Sequence, residues 1–235
     1  MKIAILGAMD EEISLLRASL SGAVEKKIAH LTVYFGTLDN VEVALVKCGI
    51  GKVAAAVSTT LVVMDFKPDY VINTGSAGGF SKDRIIGDIV IATELRHHDA
   101  DLTFFGYELG QCAGMPAKYD CDAVLLECAQ QAMQRIDNIG FETGLICSGD
   151  AFIGSDEGAA TIRQNFPGIS AVEMEGVAIA QTCHLLNVPF LVIRSLSDIA
   201  GVTSTVSFQT YLETAAKHSA QIVMQTIALL PHYKH

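Results

Sequence analysis

Three sets of acidic residues interrupt sequence that otherwise reads as core. Residues 168–180, GISAVEMEGVAIA, run from an apolar strand-like entry through Glu173-Met174-Glu175 into an apolar helix-like segment. Residues 190–201, FLVIRSLSDIAG, carry Arg194 and Asp198 within an apolar strand-like run, and GAMDEE places Glu12 just inside a helix N-terminus. An ionised carboxylate in an apolar setting costs several kcal/mol unless it is paired, hydrogen-bonded or protonated. Arg194 and Asp198 are four apart and so share one face of a regular strand, too distant along it to pair with each other. The expected ion pair is Arg194 with Glu173, which leaves Asp198, beside Ser197, as the chemical group. Read alone, residues 173–175 are equally a solvated strand end followed by a helix whose dipole favours Glu in its first turn. Capping accounts for Asp10 and less well for Glu12. Taken together, Glu12, Glu175 and Asp198 make a three-carboxylate set. Cleavage of a sugar–leaving-group bond through an oxocarbenium-like transition state uses such a set: a neutral acid, an ionised base and hydrogen bonds to ring hydroxyls. Crowding carboxyls raises the pKa of at least one of them, which keeps an acid protonated near neutral pH.

The elements that must position these groups are short apolar strands alternating with amphipathic segments. KIAILG, HLTVYFG, VEVALVKCG, YVINTG, DIVIATEL, GLICSG, SAVEM and PFLVIRSLSD read as strands, several of them continuously apolar as in a buried sheet. Helical spacing predicts helices over Glu11–Leu20, Lys52–Phe66, Cys121–Arg135, Glu157–Gln164, Glu175–Leu186 and Ser207–Leu230. Two consecutive hairpin-like strands near residues 30–48 make the sheet mixed, so the expectation is a three-layer α/β fold around one central sheet. In such folds ligands gather at the carboxyl ends of strands, and here those ends are rich in small residues and carboxylates.

With 235 residues and no Pro- or Ser-rich linker, the chain is expected to form a single domain over residues 1–235. Half its residues are hydrophobic, yet polar residues break every apolar run short of the roughly 18–20 residues a membrane span needs. The start, MKIAILGAM followed by DEE, lacks a basic region and a small-residue cleavage site, so the expected location is cytoplasmic. A formal charge of −10 argues against nucleic acid or anionic lipid as partner. The six cysteines are dispersed without metal-ligand spacing and read as reduced thiols. The apolar excess suggests an oligomer interface.

Other motifs carry less. Gly49-Ile50-Gly51 with Ala54 fits a permissive dinucleotide fingerprint, but the next strand ends in Asn73-Thr74 where that motif needs an acid, which favours a plain strand-to-helix turn. His97, His98, Asp99 and Asp101 cluster like metal ligands; adjacent strand residues point to opposite faces, which favours a polar loop or interface segment. NTGSAGGF offers either backbone N–H groups facing a ligand or close packing under a neighbouring strand.

GAMDEE, GIGKVAAA, NTGSAGG, HHDAD with FGYE and GQ, SGDAFI, AVEMEGVAIA and RSLSD, in this order over nearly the whole chain, resemble the 5′-methylthioadenosine/S-adenosylhomocysteine nucleosidase family of the nucleoside phosphorylase superfamily. The resemblance implies a nucleoside phosphorylase-like three-layer sandwich, a central mixed β-sheet flanked by helices. It implies hydrolysis of the N-glycosidic bond of methylthioadenosine and S-adenosylhomocysteine, with 5′-deoxyadenosine as a related substrate, releasing adenine and a thioribose for methionine salvage. No cofactor and no metal are implied; the partners are a nucleoside, water and a second copy of the chain in a homodimer. Asp198 would protonate the adenine ring with Ser197 holding its carboxyl, Glu12 would orient and deprotonate water, and Glu175 would bond the ribose hydroxyls with Met174 packed on the sugar. Phe152 would stack on adenine and the Ile153 backbone read its edge, while Met9, Ile50 and Phe208 wall the alkylthio side. Glu173 would support Glu175, Ser76, Ala77, Gly78 and Arg194 would belong to the binding shell, and Leu102, Phe105 and Tyr107 would reach the neighbouring subunit's site. A phosphorylase would share the fold but needs a basic phosphate pocket, which the sequence near GAMDEE does not offer; a non-catalytic nucleoside or dinucleotide binder would leave the acids unexplained.

Overall fold

Alternation along the first strand sets the layers: Ile3 and Ile5 pack into one apolar cluster, Ala4 and Leu6 into the other, on the opposite face. A strand buried on both faces must lie inside a sheet covered on both sides. The computed structural model describes residues 1–200 and 204–232. In order it forms β1 (Lys2–Gly7), α1 (Asp10–Ser19), β2 (Ser21–Ile28), β3 (Leu31–Leu38), β4 (Val41–Lys47), α2 (Lys52–Phe66), β5 (Tyr70–Gly79), β6 (Ile89–His97), a 3-10 turn at Thr103–Phe105 and β7 (Tyr119–Asp120). There follow α3 (Ala123–Met133), β8 (Phe141–Ser148), α4 (Asp156–Asn165), β9 (Ile169–Glu173), α5 (Gly176–Leu186), β10 (Phe190–Ile199), α6 (Ser204–Leu229) and a 3-10 turn at Leu230–His232.

The strands join in one mixed sheet of order β10-β6-β8-β9-β5-β1-β4-β3-β2, with β7 beside β6. Because β10 also pairs with β5, the strands β10, β6, β8, β9 and β5 close on themselves, and the remainder extends from β5 as an open wing. Helices α2 and α5 pack together on one face, and α1, α3 and α6 on the other, which gives the three layers. Helix α4 covers a smaller cluster with Phe80, Cys147, Phe166 and Val172.

Helix α2 coincides with its sequence expectation, and the others differ only at their ends, α6 starting at Ser204 rather than Ser207. Strand β2, SGAVEKKI, was not expected. It is an edge strand exposed along almost its whole length and paired only with β3 among the described residues, so no buried face imprints alternation on it, and its Glu and Lys side chains discourage further pairing. Among the described residues no helix is long and apolar enough to cross a membrane. Residues 201–203 and 233–235 of the expected domain lie outside the described residues.

Candidate active site

Glu12 stands at the third position of α1, and its carboxylate is held from two sides. Oε2 accepts from the backbone N–H groups of Ala8 at 2.8 Å and Met9 at 3.2 Å, while Oε1 accepts from the Ser76 N–H at 2.9 Å and the Ser76 hydroxyl at 3.0 Å. Glu12 therefore does cap its own helix, contrary to the sequence reading: it is the N3 residue of a capping box, and its carboxylate reaches back to the N–H of the N-cap residue, Met9. The same carboxylate ties α1 to the carboxyl end of β5.

Glu173 and Glu175 divide their work. Glu173 ends β9 and is buried; it accepts from the N–H groups of Glu175 at 2.9 Å and Gly176 at 2.7 Å, so it satisfies the N-terminus of α5. It also accepts from the Ser148 hydroxyl on the adjacent strand β8 and from Arg194. Arg194 on β10, fully buried, reaches Asn73 Oδ1 at 2.6 Å and lies 3.6 Å from Glu175. Glu175 keeps one oxygen on the Gly51 N–H at 2.9 Å. Burial, then the neighbouring Glu173 charge, raise its pKa against the opposing pull of Arg194 and the Gly51 N–H. The two carboxylates that break the apolar run are thus a structural support and, beside it, a group facing a cavity.

Asp198 lies near the end of β10. The sequence reading puts it on one face with Arg194, but the register against β5 slips between Leu196 and Asp198, so a bulge at Ser197 breaks the alternation. The Ser197 hydroxyl donates to Asp198 Oδ1 at 2.9 Å, and burial raises the Asp198 pKa against that bond. NTGSAGG is not a loop: β5 runs buried and close-packed to Gly79, while Ser76, Ala77 and Gly78 also line the cavity that Glu175 faces. A Cβ at Gly75 would collide with the Arg194 guanidinium and stand 2.7 Å from Glu12 Oε1. Both groups are fixed by other partners. Gly75→Ala is therefore expected to lower kcat by roughly a hundredfold through misplacement of Glu12, read from steady-state turnover; near-normal turnover would show that the pair can yield.

These groups converge on a cavity of about 210 Å³ lined by Ala8, Met9, Glu12, Ile50, Ser76, Ala77, Gly78, Phe152, Val172, Glu173, Met174, Glu175, Ser197, Asp198 and Phe208. Phe152 and Phe208 meet edge to face, with centroids 5.8 Å apart. Among the described residues that line it, none is basic. Of the residues singled out in sequence, Arg194 lies behind the acids and not in the lining, and Ile153 packs toward the α4 cluster. Leu102, Phe105 and Tyr107, around the 3-10 turn after β6, do not line their own chain's cavity, and Phe105 is 70% exposed. Sequence reading passed over Ala8 and Val172, although each adjoins a strand-end group already singled out. It also passed over Asn73 and Ser148, whose bonds to Arg194 and Glu173 come from strands distant in sequence. His97 bonds Gln181 at 2.9 Å, and no group of three or more His, Cys, Asp or Glu among the described residues could hold a metal ion. The Gly49–Gly51 segment is a strand-to-helix turn, with positive φ at both glycines.

Buried acids at strand ends, an apolar-walled cavity and no cation in its lining suit chemistry on a neutral, ring-bearing substrate. The sequence profile of the Phosphorylase superfamily matches residues 2–228. A 5′-methylthioadenosine/S-adenosylhomocysteine nucleosidase from Lysinibacillus sphaericus is 52% identical over 230 residues, spanning 98% of this chain and 100% of that protein. The crystal structure of the nucleosidase of the same name from Neisseria meningitidis, in complex with methylthio-immucillin-A, superposes with a TM-score of 0.95 at 45% identity, covering 97% of this chain and 98% of that one. That from Colwellia psychrerythraea, in complex with adenine, gives a TM-score of 0.96 at 48% identity over 98% of this chain and 96% of that one.

Proposed function

Because this chain belongs to the 5′-methylthioadenosine/S-adenosylhomocysteine nucleosidase family of the phosphorylase superfamily, and is a purine N-glycosyl hydrolase, we propose a division of labour among its buried acids. Asp198 gives its proton to a ring nitrogen of adenine as the C–N bond breaks, so the bonding pair departs on a neutral base. Water adds to the anomeric carbon, and Glu12 takes the proton released. Glu175 accepts hydrogen bonds from the ribose hydroxyls, which strengthen as the ring gains oxocarbenium character. Burial supports the role of Asp198 by holding its proton to higher pH than an ordinary carboxylate. The bonds from Ala8, Met9 and Ser76 support the role of Glu12, since they fix its direction.

The substrates are methylthioadenosine and S-adenosylhomocysteine, cleaved to adenine and the thioribose in a step of methionine salvage. The apolar lining of Met9, Ile50 and Phe208 asks nothing of sulfur, which supports 5′-deoxyadenosine as a further substrate. Phe152 stacks on adenine, the Ile153 backbone reads its edge, and Met174 packs on the sugar. The chain acts as a single cytoplasmic nucleosidase domain paired in a homodimer. Exposed Val53, Val57 and Met64 along α2, with Phe104 and Phe105, supply an apolar face for that pairing, and Leu102, Phe105 and Tyr107 then complete the neighbouring site.

The observation that carries the hydrolytic reading is the lining itself: among the described residues it gathers Glu12, Glu173, Glu175 and Asp198 with no Lys, Arg or His, so it repels phosphate and leaves water as nucleophile. Purified protein with methylthioadenosine in phosphate-free buffer is expected to release adenine and a reducing sugar, with no acceleration on adding phosphate, as followed by chromatography. Turnover only with phosphate, giving a sugar phosphate, would make the enzyme a phosphorylase and remove the assigned role of Glu12.

A further inference from the structure

Helix α2 is capped from a distance. Its N-cap residue is Gly51, which has no side chain to offer the first free N–H groups. The missing acceptor is Asp150, whose Oδ1 takes the Lys52 N–H at 2.7 Å. Asp150 is held in turn, its own N–H donating to Asp99 Oδ2 at 3.0 Å. The other oxygen of Asp99 accepts from the Lys52 ammonium at 2.6 Å, which closes a ring through three loops. The fit is close: φ at Gly51 is +92°, and a Cβ there would stand 2.9 Å from Asp150 Oδ1.

Each loop carries a part of the site. Residues 50 and 51 give one cavity wall and the N–H that binds Glu175, Asp150 stands two residues before Phe152, and Asp99 heads the segment that runs to Leu102, Phe105 and Tyr107. Asp99 and Asp150 are exposed and Lys52 is partly buried, so solvent screens the ion pair, and the closed ring of hydrogen bonds rather than charge alone holds the three loops together. Burial works to raise the Asp99 pKa, but the bonds from Lys52 and the Asp150 N–H outweigh it and hold the carboxyl below its ordinary value. Asp99 therefore stays ionised across the neutral range.

We propose that Lys52, Asp99 and Asp150 are positioning residues, a charged latch that sets the Gly51 N–H on Glu175 and so governs recognition of the ribose hydroxyls. This rests on the ribose-binding role of Glu175 given above. The latch also couples the segment expected to meet the partner subunit to the wall beside the sugar.

The test is steady-state kinetics of Lys52→Gln and Asp99→Asn on methylthioadenosine and on its 2′-deoxy analogue, with Lys52→Arg as the charge-keeping variant and thermal unfolding as the folding control. Each neutralising variant is expected to lose about ten- to a hundredfold in kcat/KM on methylthioadenosine but only about two- to threefold on the analogue, which has one hydroxyl fewer to orient. Lys52→Arg is expected to recover most of the loss. Equal losses on both substrates in folded variants, or none on either, would overturn the latch. The unaltered enzyme separates the two failures: if it releases no adenine without phosphate, the functional reading falls and the latch's role with it; if it is active and the variants match it, the latch alone falls.

Discussion

Asp198→Asn is expected to lower kcat/KM on methylthioadenosine by about 10²–10⁴-fold, the usual contribution of a positioned general acid, while the protein folds as before. Asn is nearly isosteric with Asp and its carbonyl can still accept the Ser197 hydroxyl, so the bulge that presents residue 198 keeps its local bond. Only the transferable proton is lost. The pH dependence has a definite sign. Burial raises the Asp198 pKa, the protonated form is the active one, and activity falls as pH rises through that raised value; the Asn variant lacks this alkaline limb. Stability follows the same linkage. A carboxyl with a raised folded-state pKa stabilises the fold while protonated, and that contribution is lost as pH rises through the folded pKa. The variant carries no such ionisation, so its melting temperature relative to the unaltered protein is expected to climb with pH. Adenine release together with melting curves over a pH series measures both, and turnover retained within a few-fold would refute Asp198 as the acid.

Glu173→Ala is expected to cost about 3–5 kcal/mol of folding stability, the scale seen when one partner of a buried ion pair is removed. The residue is only 7% exposed and satisfies four donors at once: the Ser148 hydroxyl, Arg194 and the N–H groups of Glu175 and Gly176. Truncation leaves a fully buried guanidinium with a hydrogen bond to the neutral Asn73 and only the longer, 3.6 Å contact to the Glu175 carboxylate, and it uncaps α5. Arg194→Met removes the charge left behind. The double variant should therefore be less destabilised than the sum of the two singles, by roughly 1–3 kcal/mol. Urea unfolding of the two single variants and the double gives the cycle; strict additivity would show that the two residues are not energetically paired.

Much of this arrangement could be read from residue types, and the limits are physical. The Arg194–Glu173 pair was legible because a guanidinium inside an apolar strand needs a carboxylate, and the neighbouring apolar run offered one. Glu12, Glu175 and Asp198, three of the four acids lining the cavity, were legible as a set because apolar sequence around each made a solvated role costly. The second hold on Glu12 was not, since Ser76 is 64 residues away and nothing local announces the approach. The bulge at Ser197 leaves no compositional mark, because its register is set by pairing with β5. Strand β2 escaped detection for the opposite reason: with both faces solvated, it has no pattern to show.

The closure of β5, β9, β8, β6 and β10 on themselves bears on the order in which the molecule can assemble. Ser76 meets Glu12, Gly51 meets Glu175 and Asn73 meets Arg194 across separations of 64, 124 and 121 residues. Such contacts repay their loop-closure entropy only after the segments between them have been ordered. Helices and the β3–β4 hairpin are local and can form early, whereas the pairing of β10 with β5 joins late sequence to early sequence. The acids therefore come together as the ring shuts, so no partial product of folding holds a working constellation of them. Catalytic competence arises with the completed topology, and one of the long-range bonds at the site, Asn73 to Arg194, joins the same two strands, β5 and β10, whose pairing closes the sheet.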